Sequence, residues 1–181
     1  HIASNNIRLT GCLVDGCWDD AFAFVSATMD ASHAGTSDTS WGLQMTGCKA
    51  LRCYRKASGL KIAGGRDCYV TGFEVDDAAV AGVVAVYDSF APYDPTNINV
   101  EATVRNSNRT FVGTSNVRNT IKIKSFASGD ANIRNATGGS NPTDNHFDFE
   151  MRSFSQGPAS DDKDEVTNKS EEHTSELQSP M

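Results

Sequence analysis

The chain repeats a short motif in which an apolar residue, a more polar residue and a second apolar residue follow one another. The motif recurs six times, every 23 to 36 residues, between positions 7 and 149. Because successive side chains of a β-strand point to opposite faces, it predicts short strands with one buried and one solvated face. The six segments are Ile7-Arg8-Leu9, Leu43-Gln44-Met45, Cys68-Tyr69-Val70, Ile98-Asn99-Val100, Ile121-Lys122-Ile123 and Phe147-Asp148-Phe149.

Two further columns flank this motif. A polar residue or glycine precedes it and predicts a turn whose side chains hydrogen-bond from one repeat to the next. A small residue two positions after it predicts a tight bend between two strands of one repeat. The first column is Asn6, Gly42, Asp67, Asn97, Thr120 and His146, and the second is Gly11, Gly47, Gly72, Ala102 and Ser125.

These columns predict an all-β, right-handed parallel β-helix, a solenoid of about six stacked coils of roughly 25 residues. Further strands are expected over 21–25, 60–62 and 83–86. We expect residues 1–157 to form a fragment of such a β-helix. A leucine-rich repeat would need a leucine framework, and a β-sandwich explains neither the bend nor the columns. One interior row is predicted to contain Leu9, Met45, Val70, Val100, Ile123 and Phe149.

The segment from Asn6 to Cys17 resembles a coil of the right-handed parallel β-helix group, which includes pectate lyases, polygalacturonases and phage tailspikes. The resemblance covers roughly residues 4–157. It implies an extracellular or virion-associated protein that binds polysaccharide, and a trimer if it is tailspike-like. Whether such a protein also cleaves the polysaccharide, as a glycoside hydrolase or lyase, is left open by the resemblance. The alternative is a non-enzymatic shaft or adhesin, because a fold does not by itself specify an activity.

The charge of the chain bears on its partners. The formal net charge is −7 and the sequence pI is about 5.0, whereas binding to nucleic acid requires a clustered basic face. No apolar run approaches the length that crosses a bilayer. We therefore expect neither nucleic acid nor a membrane as a partner, and the resemblance implies a polysaccharide instead.

The last 24 residues, 158–181, differ from the rest because the repeat is lost and charges dominate. The stretch from Ser170 to Ser179 also resembles the translation of a short-read sequencing adapter. We expect this tail to be disordered and not native, which removes His173 from the candidate site residues.

Four cysteines occupy matched columns. Cys12 and Cys17 recur as Cys48 and Cys53, so each is expected beside its equivalent on a neighbouring strand, about 5 Å away. Small buried hydrophobes are the favoured interpretation. A zinc site and a disulfide between coils remain alternatives. Cys68 falls in an interior column and is expected in the core.

The Asp19-Asp20 pair at a strand entry, with Asp15 before it, carries the hydrolase hypothesis. Polygalacturonases place a Gly-Asp-Asp element at such an entry, and the resemblance implies that one carboxyl acts as acid while others activate water. Trp18 stands where that family has glycine. Lys61 in Leu60-Lys61-Ile62 matches the lysine of the family's Arg-Ile-Lys element.

A lyase would instead need carboxylates that bind Ca²⁺ and a basic residue to remove a proton, and Asp76, Lys61 and Arg66 are the candidates. No other cofactor or metal is expected. Two long turns, 28–40 and 87–95, are natural places for binding because loops carry variation on a rigid scaffold. The predicted substrate-binding residues are Trp18, His33, Asp76, Tyr87 and Tyr93.

Overall fold

A computed structural model describes residues 5–26, 40–87, 93–134, 139 and 141–152. Over these residues the chain forms thirteen strands and no helix, so no helix there could cross a membrane. The strands are β1 (Arg8–Thr10), β2 (Leu13–Asp15), β3 (Phe22–Val25), β4 (Gln44–Thr46), β5 (Lys49–Cys53), β6 (Leu60–Ala63), β7 (Arg66–Ala78), β8 (Val83–Val86), β9 (Thr96–Arg105), β10 (Phe111–Thr114), β11 (Thr120–Phe126), β12 (Ala131–Arg134) and β13 (His146–Arg152).

The strands form two sheets in which every pairing is parallel. Sheet A has the order β1-β4-β7-β9-β11-β13, with β2 and β5 pairing beside it, and sheet B has the order β12-β10-β8-β6-β3. The chain alternates between the sheets, and each strand pairs with strands of the adjoining repeats. The predicted all-β class and parallel pairing are therefore confirmed.

One core lies between the two sheets. Alternate residues of β9 are buried, as a strand with one inner face requires. Phe22 of sheet B meets Phe73 of sheet A with ring centroids 5.8 Å apart, and Phe111 of sheet B meets Phe147 of sheet A at the same distance. The inward-facing buried side chains of both sheets belong to one cluster, which fixes the sheets against each other.

The predicted interior row is correct for its first four members. Leu9 pairs with Met45, Met45 with Val70, and Val70 with Val100. The next step was wrong by two residues, because Val100 pairs with Ile121 while Ile123 pairs with Ala102. Phe149 does lie opposite Ile123.

The same two-residue error affects the turn before the motif. Asn6, Gly42, Asp67 and Asn97 all have positive φ, as a shared turn conformation requires, and Asn97 Nδ2 donates to Asp67 Oδ1 at 2.6 Å. In the last two repeats this conformation falls on Arg118 and Asp144 rather than on the predicted Thr120 and His146.

The predicted bend occurs only in the first three repeats. Gly11, Gly47 and Gly72 have φ of 62°, 61° and 60°, values that glycine adopts without steric cost. At Gly72 the strand contains one residue more than its neighbour, which is a β-bulge. The bend prediction is wrong at Ala102 and Ser125, which lie inside β9 and β11 and do not have positive φ.

Candidate functional site

The turns that lead from sheet A to sheet B in the first two repeats hold most of the candidate chemistry. Tyr54 N donates to Cys17 O at 2.8 Å, and Ala21 N donates to Ser58 O at 2.9 Å. Ser58 N donates in turn to Asp20 Oδ1 at 2.8 Å. These bonds hold the turn at 16–21 directly beside the turn at 54–59.

A groove of about 440 Å³ lies on the outer face of sheet B. Lys61, Val84 and Val112 reach this face because they alternate with the buried inner residues of β6, β8 and β10 and occupy one row. Valines form its apolar part, and both carboxylates and cations line it. The lining residues are Asp19, Asp20, Lys56, Ser58, Lys61, Val80, Val84, Val86, Tyr87, Val112, Thr114 and Arg134.

Asp19 and Asp20 share this groove although they are adjacent in sequence. Both precede β3, and residues of a turn need not alternate between faces as strand residues do. Each also has a structural bond, since Asp19 Oδ1 accepts from Asp20 N at 2.9 Å and Asp20 Oδ1 accepts from Ser58 N. The pair therefore caps the turn and faces the groove.

Trp18 and Tyr54 form an exposed aromatic platform beside the groove residues Asp19 and Lys56. Their side chains are 64% and 41% exposed, with ring centroids 6.4 Å apart and an interplanar angle of 61°. The Arg55 guanidinium carbon lies 4.5 Å from the Trp18 ring centroid. Sequence reasoning selected Trp18 and missed Tyr54, although each follows a cysteine of the same repeat column.

Of the other predicted site residues, Lys61 and Tyr87 line the groove, whereas Asp15, Arg66, Asp76 and Tyr93 do not. Asp15 is ion-paired with Arg52, and Asp76 Oδ1 accepts from Asn106 Nδ2 at 2.8 Å. Leu51 lies between Asp15 and Asp76 in sheet A.

Arg66 begins β7 and Asp76 lies near its end, beyond the bend at Gly72, so the strand holds the two residues apart. Tyr93 lies just before β9, away from the groove lining. His33 and the tail at 158–181 lie outside the described residues. Within the described ranges no three His, Cys, Asp or Glu side chains are grouped to hold a metal ion.

Comparison with known proteins identifies no relative of this chain. No family model matches the chain, and neither the curated proteins nor the solved structures give a match.

Proposed function

We propose that sheets A and B are two sides of a right-handed parallel β-helix. The chain passes from one sheet to the other and returns one strand further along, and all pairings are parallel. A connection between parallel strands of one sheet is right-handed in nearly every known case. Such a solenoid carries binding sites on its outer faces and turns, which is where the groove and the aromatic platform lie.

This β-helix is a polysaccharide-binding protein. The observation that carries the proposal is the exposed platform of Trp18 and Tyr54 beside a groove lined by carboxylates and cations. Aromatic faces pack against the C–H faces of sugar rings, and charged side chains hydrogen-bond sugar hydroxyls. A purely structural shaft requires neither feature, so the geometry favours binding over the spacer alternative.

Replacing Trp18 or Tyr54 by alanine is expected to weaken polysaccharide binding about tenfold in each case. Each change removes a ring that stacks on a sugar, and the loss of binding free energy is roughly 1.4 kcal/mol. Calorimetric titration with neutral and acidic polysaccharides measures the effect. The matched control is Tyr69→Ala, since Tyr69 is 48% exposed on sheet A, away from the groove. Equal affinity for the Trp18→Ala, Tyr54→Ala and Tyr69→Ala variants would exclude the platform as the binding surface.

We also propose that the protein cleaves the bound polysaccharide, with Asp19 and Asp20 as the catalytic carboxyl groups. Two carboxyls in one groove can divide the roles of acid and base when their surroundings differ, and Asp19 is exposed whereas Asp20 is half-buried. We expect Asp19→Asn and Asp20→Asn each to reduce depolymerisation about a hundredfold, the usual range for loss of an acid or base.

Release of reducing ends from the polysaccharide that the protein binds measures this activity. Asp148→Asn is the control, because Asp148 is exposed on sheet A in β13. Depolymerisation that persists in both groove variants removes the pair from the mechanism. Binding without any cleavage by the unaltered chain makes the protein a binding module.

A further inference from the structure

The first two repeats bring four cysteines into two neighbouring pairs, as their spacing predicts. Lys49 N donates to Cys12 O, and Tyr54 N donates to Cys17 O, both at 2.8 Å. With β2 and β5 in parallel register, Cys12 lies beside Cys48 and Cys17 beside Cys53. All are free thiols.

We propose that Cys17 and Cys53 are a disulfide-forming site that crosslinks the first two repeats directly before the aromatic platform. The parallel register of β2 and β5, continued by the bond from Tyr54 N to Cys17 O, places Cys17 and Cys53 side by side on neighbouring repeats. Cα atoms of neighbouring parallel strands lie about 5 Å apart, which is inside the range of about 4.4–6.8 Å that a disulfide spans. Cys17 is half-buried and can be reached by an oxidant, whereas Cys53 is only 1% exposed.

The other cysteines are less suited to this reaction. The thiols of Cys12 and Cys48 each donate a hydrogen bond of 3.7 Å to the carbonyl two residues earlier, across the glycine bend, and this bond competes with the approach of one sulfur to the other. Cys68 is fully buried in the row that continues to Ile98, so its neighbour there is not a cysteine. Cys68 therefore serves as an internal control.

The bond forms by exchange with an external disulfide such as oxidised glutathione. The Cys17 thiolate attacks one glutathione sulfur and releases one glutathione. The Cys53 thiolate then attacks the Cys17 sulfur and releases the second, so two cysteines lose two electrons and two protons while one external disulfide is reduced. Burial raises the pKa of Cys53 to about 12, so the second step accelerates as pH rises toward that value.

Peptide mapping tests the proposal on the whole chain. After incubation of the folded protein with oxidised glutathione and alkylation of remaining thiols, trypsin leaves Cys53 in the short peptide 53–55 and Cys12, Cys17 and Cys48 in the peptide 9–49. We expect the two peptides to be linked in the unaltered chain and in Cys12→Ser, and the link to be lost in Cys17→Ser. Cys68 should remain alkylated.

Two outcomes overturn the proposal. One is a Cys53 peptide that stays alkylated in the folded protein, or that remains linked in Cys17→Ser. The other is a link that forms only in urea, because the folded geometry would then not accept the bond. If the folded chain accommodates the disulfide, oxidation should raise the midpoint of thermal unfolding by on the order of 5–10 °C, and the Cys17→Ser variant should show no rise.

Discussion

Replacing Asn119 by alanine is expected to lower the free energy of unfolding by about 3 kcal/mol, since it leaves buried backbone groups unsatisfied. Asn119 is 1% exposed. Its Oδ1 accepts from Ile98 N at 2.8 Å, and its Nδ2 donates to Pro95 O at 3.0 Å and to Asn116 Oδ1 at 2.8 Å. Alanine removes all three bonds, and no water can easily replace them at so buried a position.

Urea unfolding followed by circular dichroism measures the change. Asn119→Leu is a sharper variant, because leucine restores the apolar pattern of the repeat but leaves Ile98 N without an acceptor, so it should destabilise at least as much as alanine. Asn99→Ala is the control, since Asn99 is only partly buried and lies between the inward Ile98 and Val100, with an expected cost below about 0.5 kcal/mol. A leucine variant as stable as the unaltered chain would refute the role assigned to Asn119.

Asn119 also explains why the sequence predicts the first four repeats better than the last two. The register shows Asn119 at the position of Ile98, and Asn145 at the next, because Asn99 pairs with Thr120 and Thr120 with His146. Apolar periodicity passes over a buried asparagine and selects the next apolar pair, which moves the alignment by two residues. Only the hydrogen bonds of the folded chain distinguish an inward asparagine from an exposed one.

The sequence likewise predicts some residues of the groove and misses others. Asp19, Asp20, Lys61 and Tyr87 were selected from the sequence, and all four line the groove. Arg134 was missed because it reaches the groove from β12, three strands beyond Lys61 in sheet B and more than 70 residues later in the chain.

Conversely, residues close in sequence can lie far apart. A strand advances about 3.3 Å per residue, so Arg66 and Asp76 occupy opposite ends of β7 although only nine residues separate them. Charged residues that are close together in the sequence therefore do not mark one surface of the fold, because residues that are neighbours in space are separated by a whole repeat in the sequence.

The largest loss of stability is expected from Phe111→Ala, at about 4 kcal/mol. Phe111 is fully buried and is the sheet B member of a ring cluster with Phe147 and Phe149, whose centroids each lie 5.8 Å from its own. Alanine removes the ring from a close-packed interior and leaves a cavity beside two aromatic side chains of β13. The loss should loosen the contact of β13 with sheet B as well as lower the global free energy of unfolding.

Phe126→Ala is the matched control in the same region. Phe126 is half-buried at the end of β11, where its ring faces the guanidinium groups of Arg105 and Arg152 at 5.4 and 6.0 Å. Cation–π contacts at such sites contribute about 1 kcal/mol, so the expected loss is several-fold smaller than for Phe111. Equal losses in the two variants, measured by urea unfolding, would mean that the core between the sheets does not depend on the Phe111 cluster. Hydrogen exchange of β13 amides provides the second measurement, because Phe111→Ala should accelerate it and Phe126→Ala should not.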